Sequence, residues 1–350
     1  MKLTLLGLAV LGTLSTTAMA QSSVTMYGSI DGGVRNLTNV DPAGDSQLTM
    51  ASNGTFRSNR LGFKGSEELG GGLKANFVLE AGFVTATGAL NNTSNQLVQR
   101  EARVGLSGDF GSIDVGRQYT IAYKTILSFD PFNYRYPSIT YALSSTAGTR
   151  DSNALVYSKR VGDVTVRAGY ALGEVAGSTA NASKAAVGAV YARGPVRLGA
   201  VYTRAKPNVG AATTPDYQDY RHYALGGAYI VGALTASVGY VNEEQATPGL
   251  DNTAEWEWAG LSWRISPRVS LTGAWYRNKV YNIRANAKAD AGDGRKDQFI
   301  VGMTYDFSKR TNFYAEVDYN KLDGAFARGG TKLLNQTQQT GIAAGIMHMF

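Results

Sequence analysis

Strict two-residue alternation, repeated along most of the chain, is the feature that most restricts what this sequence can fold into. In segment 298–307 one parity carries Phe299, Val301, Met303, Tyr305 and Phe307, and the other carries Gln298, Gly302, Thr304 and Asp306. Successive side chains of a strand point to opposite faces, so this segment reads as a strand with one greasy and one mostly polar face. Segment 311–322 repeats the pattern, with Phe313, Ala315, Val317 and Tyr319 opposite Asn312, Tyr314, Glu316, Asp318 and Asn320. Similar runs stand at 164–170, 196–202, 234–240 and 269–275, several ending in an aromatic on the apolar parity.

A soluble sandwich would turn the greasy face inward, so alternation alone does not separate that fold from a membrane barrel. The connections do. Sixteen strand candidates are joined alternately by short and long links, the short ones at 66–72, 108–111, 161–163, 194–195, 232–233, 266–268 and 309–310. Short periplasmic turns and long external loops are the layout of an outer-membrane barrel, and an even strand count leaves both termini on the periplasmic side. No segment after the first twenty residues supplies the run of about 20 apolar residues that a membrane helix needs. A barrel needs none, because only alternate residues meet lipid. With 42 Gly, 20 Tyr, 8 Pro and no Cys, the composition suits strands, tight turns and aromatic girdles held without disulfides.

The chain opens with Met1-Lys2, an apolar run over 3–14 and Ala18-Met19-Ala20, the basic start, short greasy region and small-x-small site of a secretory signal. Residues 1–20 therefore read as a signal peptide cleaved after Ala20, and 21–350 as one barrel domain. Loss of Lys2 leaves 33 basic against 27 acidic side chains, a formal charge of +6. The scatter of these charges and the export signal argue against a nucleic-acid partner.

Two segments break the rhythm. The longest connection, 120–149, lies between the fifth and sixth strands and has no strand of its own, a length that usually marks function. In the strand near 254–265, Trp263 falls on the parity opposite Trp256 and Trp258, which predicts a bulge or register shift there.

Several motifs recur in a fixed order: Ser23-Val24-Thr25-Met26-Tyr27-Gly28-Ser29-Ile30-Asp31, then Asn59-Arg60-Leu61-Gly62-Phe63-Lys64-Gly65 running on through Glu67-Glu68-Leu69-Gly70. Val104-Gly105-Leu106-Ser107-Gly108-Asp109-Phe110-Gly111 follows, then Gly116-Arg117-Gln118-Tyr119, Phe307-Ser308-Lys309-Arg310-Thr311 and the terminal His348-Met349-Phe350. In these the mature chain resembles the general porins of Gram-negative bacteria, most closely the β-proteobacterial branch. The resemblance implies an all-β, transmembrane, 16-stranded antiparallel barrel with the third external loop folded into the lumen. It also implies a homotrimer in the outer membrane and a water-filled channel for passive diffusion of small hydrophilic solutes. By motif match the pore constriction wall would be Arg60, Arg100 and Arg150, Arg117 would lie toward the subunit contact, and Phe350 would be the signal read by the barrel-assembly machinery.

Alternation adds to this. Leu61 and Phe63 point outward, so Arg60 and Lys64 face the lumen, and Lys74 joins them on the parity of Asn76 and Glu80. Arg103, on the parity of Gly105, reads as outward, opposite Arg100, Ala102 and Val104. A bare charge on the lipid face costs about 2–4 kcal/mol at mid-bilayer, so Arg103 and Arg117 are expected at the subunit interface, beside a smooth patch of Gly28, Gly32 and Gly33. In 120–149 the only acid is Asp130, against Lys124 and Arg135, which predicts a positive field favouring anions. The implied partners are small anionic or neutral solutes, outer-membrane lipid and lipopolysaccharide, with no cofactor and no metal. A nutrient-specific channel on the same barrel remains an alternative. A barrel-borne hydrolase needs a histidine base beside a nucleophile, and His222 and His348 have no such motif around them; His222 reads as a loop-edge polar residue.

Overall fold

The computed structural model describes residues 23–51, 55–92, 95–283, 291–327 and 335–350. The expected signal segment 1–20 lies outside them. The strands are β1 (Ser23–Leu37), β2 (Gln47–Ala51), β3 (Arg60–Gly70), β4 (Leu73–Gly82), β5 (Glu101–Gly108), β6 (Gly111–Tyr119), β7 (Arg150–Val161), β8 (Val164–Ala171) and β9 (Lys184–Arg193). Then come β10 (Val196–Ala205), β11 (Tyr220–Val231), β12 (Leu234–Gln245), β13 (Asn252–Arg264), β14 (Val269–Ile283), β15 (Gly292–Asp306), β16 (Thr311–Gly324) and β17 (Gln338–Met349).

Each strand from β3 onward pairs antiparallel with the next, and β1 closes the ring by pairing with β17 from Ser29↔Met349 to Leu37↔Gly341. On its other edge β1 pairs with β3 from Ser23↔Ser66 to Ser29↔Arg60. Above that point β2 takes over the same edge, from Gly33 to Leu37↔Gln47. The result is a closed barrel of sixteen strands with one short extra strand. A closed ring leaves no unpaired edge, which a lipid-exposed sheet cannot afford.

The barrel is inside-out relative to a soluble protein. Val104, Val187, Leu225, Phe299, Val301, Val317, Ile342 and Ile346 are each at least half exposed on the outer face. The buried apolar cluster lies within, where segment 120–149 meets lumen-facing wall residues. There a short helix α1 (Ile121–Ile126), capped by the Thr120 hydroxyl accepting from the Tyr123 N–H at 3.0 Å, buries Ile121, Ala122 and Ile126. The wall beneath is flattened by glycines: a Cβ at Gly188 would strike Ile121 and one at Gly226 would strike Phe129.

Three expectations need correction. β13 pairs with β12 and β14 without a shift, so there is no bulge near Trp263. Trp256 and Trp258 point inward, where the loop makes the lumen dry, and Trp263 points outward. The glycine patch does not form one surface. Gly33 faces inward under Tyr314, and the Phe350 ring lies over Gly28. Finally, His222 is no loop-edge residue: it is fully buried on the inner face of β11, its Nε2 donating to the Ser145 carbonyl at 2.8 Å.

Candidate functional site

Five guanidinium groups line one open pocket of about 400 Å³ between the wall and segment 120–149. Arg60 opens β3 and Arg150 opens β7, Arg100 immediately precedes β5, Arg57 precedes β3, and Arg135 comes from the segment itself. Arg60, Arg100 and Arg150 thus come together as the sequence reading groups them, and Arg135 faces them from the loop side.

One carboxylate answers these charges. Glu80, on the inner face of β4 and 3 % exposed, pairs with the Arg100 Nε at 2.5 Å and with Arg60 Nη1 at 3.7 Å, and accepts from the Tyr27 hydroxyl at 3.1 Å. Arg57, Arg135 and Arg150 have no carboxylate within ion-pair distance among the described residues. Arg150 instead lies over the Tyr119 ring at 4.5 Å and donates to its hydroxyl at 3.0 Å, while Arg100 donates to the same hydroxyl at 2.6 Å. Tyr119 stacks on Tyr123, and Tyr123 packs at a tilt of 41° against Tyr134, so a run of aromatic contacts ties the arginine wall to the loop. The planar guanidinium stacks on such rings while keeping its charge. Arg135 similarly rests on Phe56, 4.7 Å from the ring centroid.

A second pocket of about 310 Å³ lies on the other side of the segment, toward the β15–β16 turn at Ser308 and Lys309. Asn133 and Arg135 line both pockets. Arg135 therefore stands between the two spaces, while Arg57, Arg60, Arg100 and Arg150 line the first alone.

The remaining predicted charges fall elsewhere. Lys64 sits over the Tyr27 ring, and Lys74 pairs with Glu68 at 2.5 Å, both away from the arginine pocket. Lys124 donates to Gln118 Oε1 at 3.3 Å, and burial holds its ammonium below the ordinary lysine range. Asp130 is fully enclosed, accepting from the Tyr276 hydroxyl at 2.6 Å and the Tyr134 N–H at 2.7 Å, with burial raising its carboxyl to about 6. The one acid of the loop is thus an anchor turned away from the arginines.

Arg103 corrects the sequence reading. Val104 and Leu106 are exposed outward, so Arg103 faces the lumen, ion-paired with Asp114 and with Glu101 at 3.3 Å. It has no lipid-facing charge to hide. Arg100 reaches the pocket although its parity matches outward Val104, because β5 begins only at Glu101. Arg117 does point outward, with Ile113 and Val115, and donates to the Gln99 carbonyl at 2.5 Å and to Ser152 Oγ at 2.7 Å. Phe350 is outward and 37 % exposed, its backbone paired with Gly28.

Two residues were missed by sequence reasoning, Arg57 in the pocket lining and Glu80 behind it. Glu80 was readable as lumenal but not as the shared counter-charge, because its partners are 20 residues away on either side. Arg57 lies outside any strand, where alternation carries no signal. Among the described residues no group of three or more His, Asp or Glu is placed to hold a metal.

A closed antiparallel barrel, apolar outside and charged within, wrapped around an internal segment and an arginine-lined passage, defines a bacterial outer-membrane channel. The Gram-negative porin family matches residues 7–325, and the chain belongs to it. It is 30 % identical over 398 residues to outer membrane porin protein 32 of Delftia acidovorans and 29 % identical over 408 residues to an outer membrane porin protein of Bordetella pertussis, each alignment spanning both chains in full. Its fold is similar to that of the anion-selective porin from Comamonas acidovorans, with a TM-score of 0.80 and 25 % identity over 94 % of this chain and 100 % of that one. The trimer form of OmpT from Vibrio cholerae shares the fold at a TM-score of 0.67 and 17 % identity, over 94 % of this chain and 99 % of that one. The chain is therefore a porin of the Gram-negative outer membrane.

Proposed function

We propose that this porin is an anion-selective diffusion channel whose constriction is formed by segment 120–149 facing Arg60, Arg100 and Arg150. The observation that carries this is the imbalance in the shared pocket, five guanidinium groups against the single carboxylate of Glu80. A pore selects by its width and by the field across its narrowest point. Like charges a few ångströms apart repel even in a wet lumen, and a passing anion relieves that repulsion, whereas a cation adds to it. Small anionic or neutral hydrophilic solutes are the fitting cargo, and the reading excludes catalysis.

Assembly belongs to the same proposal. Three copies associate through the wall containing the first few strands, which carries outward Arg117. Phe350 serves as the terminal signal for barrel insertion, lipopolysaccharide surrounds the outer rim, and 1–20 is removed after Ala20.

The reversal potential across a planar bilayer in a potassium chloride gradient tests the selectivity. The native protein is expected to show an anion-selective sign, shifted toward zero by Arg60→Ser with Arg100→Ser. The shift should shrink as salt rises, since the screening length falls from about 10 Å at 0.1 M to about 3 Å at 1 M. A cation-selective native channel, or one unmoved by the double substitution, overturns the reading.

A further inference from the structure

We propose that Arg57 is a fourth wall arginine that sets the anion selectivity of the constriction, and that Asp31 is the residue that positions it. The proposal rests on the anion-selective reading and extends it to two residues outside the expected trio.

Arg57 stands in 55–59, the stretch that leads into β3. Nothing in a strand register fixes it, yet it is held tightly. Asp31, fully buried on the inner face of β1, accepts the backbone N–H of Phe56 at 2.8 Å and that of Arg57 at 2.7 Å on one carboxylate oxygen. Its other oxygen accepts the Tyr314 hydroxyl at 2.6 Å. The backbone around Asp31 is clamped in turn: its N–H donates to Asn59 Oδ1 at 2.6 Å and its carbonyl accepts from Thr85 at 2.7 Å. A carboxylate that accepts two successive backbone N–H groups fixes the peptide between them, and with it the direction in which the Arg57 side chain leaves the chain. Asp31 is held by these neutral donors and forms no ion pair with the guanidinium it aims among the described residues.

The guanidinium itself is not placed as a structural arginine would be. Arg35, also on the inner face of β1, is ion-paired with both Glu316 and Asp318, and Arg103 with Glu101 and Asp114. Arg57 lines the same pocket as Arg60, Arg100, Arg135 and Arg150, and its guanidinium donates to the Met349 sulfur at 3.2 Å, a weak acceptor. Its charge is therefore available to an ion in the pocket. Burial, with Arg60 and Arg135 nearby, brings its pKa down to about 10, which leaves it charged at neutral pH.

The test is the chloride-to-potassium permeability ratio of Arg57→Gln, Arg57→Lys and Asp31→Asn, measured beside Arg60→Gln in the full-length protein. Arg57→Gln is expected to lower the ratio roughly fourfold, because one unit charge about 10 Å away in water changes the access of the anion and of the cation about twofold each, in opposite directions. Arg57→Lys should restore it, which a merely structural role would not do. Asp31→Asn should lower the ratio on its own and add nothing to Arg57→Gln, because it acts through that residue. If Asp31→Asn does not assemble, Tyr314→Phe removes one support of Asp31 and should show the same non-additivity. An unchanged ratio in Arg57→Gln while Arg60→Gln shifts overturns the role of Arg57 and leaves the anion-selective reading standing. Additive effects of Asp31→Asn and Arg57→Gln overturn the positioning role.

Discussion

The two sides of segment 120–149 obey opposite rules. One side is glued down: Ile121, Ile126, Phe129 and Phe132 are buried against wall residues that include Trp256, Trp258, Tyr276 and Ile300. Its polar atoms are individually answered, the Phe129 carbonyl by the Trp258 N–H at 3.2 Å and the Ile139 carbonyl by Gln298 at 2.9 Å. The other side faces the arginine pocket, where three of five guanidinium groups have no acidic partner among the described residues. Unpaired charge is tolerable only where water or passing ions reach it, and a loop holds one position only where its contacts are dry and complete. On the proposed reading, the docked side sets the width of the passage and the open side sets its field.

The largest way to break this contrast is to loosen the docked side. Trp258 stacks on Phe129 with centroids 5.8 Å apart and planes 13° from parallel. Trp258→Ala removes that stack and a buried N–H donor, a large-to-small change that costs about 3–5 kcal/mol in a packed site. We expect a lower thermal midpoint in detergent and protease cleavage within 120–149, with open-channel current noise rising. A midpoint and cleavage rate equal to the native values would mean that the loop does not depend on this contact.

A smaller effect should come from Asp130. Its carboxyl is held at about 6, above the ordinary 3.8, because burial disfavours the charged form. The docked loop therefore keeps a proton that a released, solvated loop would lose. That contribution is complete below about pH 4 and disappears as pH rises through about 6, and a shift of some two units corresponds to about 3 kcal/mol. Loop cleavage by a protease active across the range should be slower at pH 4.5 than at pH 7.5, and Asp130→Asn should flatten the difference. A native cleavage rate that is independent of pH, or slower at pH 7.5, would contradict this.

The barrel was legible because alternation is a local property, written into each strand. The docked side was legible in part, through a signal that only makes sense afterwards. Trp256, Trp258, Tyr276, Ile300, Tyr314 and Met347 are large apolar or aromatic residues on the polar parity, and each is buried. In a water-filled lumen they would be misplaced, so they mark where something covers the wall. Read as a register fault, Trp256 and Trp258 instead suggested a bulge that the continuous β12–β13–β14 pairing does not contain. Arg103 failed for a different reason. Ala102, Gly105 and Ser107 blur the alternation of β5, and the partners that reveal its direction, Asp114 and Glu101, include one on the neighbouring strand. Loop geometry was beyond reach as well, since Tyr134 and Tyr136 both take left-handed backbone conformations that a tyrosine does not favour.

The smallest expected effect sharpens the open side by asking how local its field is. Lys74 shares the parity of Glu80, but it pairs with Glu68 at 2.5 Å, with both side chains about half exposed. Such a pair is worth about 0–1 kcal/mol and presents little net charge to a passing ion. It also stands beside the β3–β4 turn at Gly71 and Gly72 and does not line the arginine pocket. Lys74→Gln should therefore move the reversal potential less than Arg60→Gln does, although both remove one positive charge from the same wall. What little shift it gives should vanish first as salt is raised. A shift equal to that of Arg60→Gln would mean that selectivity follows the total charge of the lumen, and that the convergence of arginines on the loop adds nothing of its own.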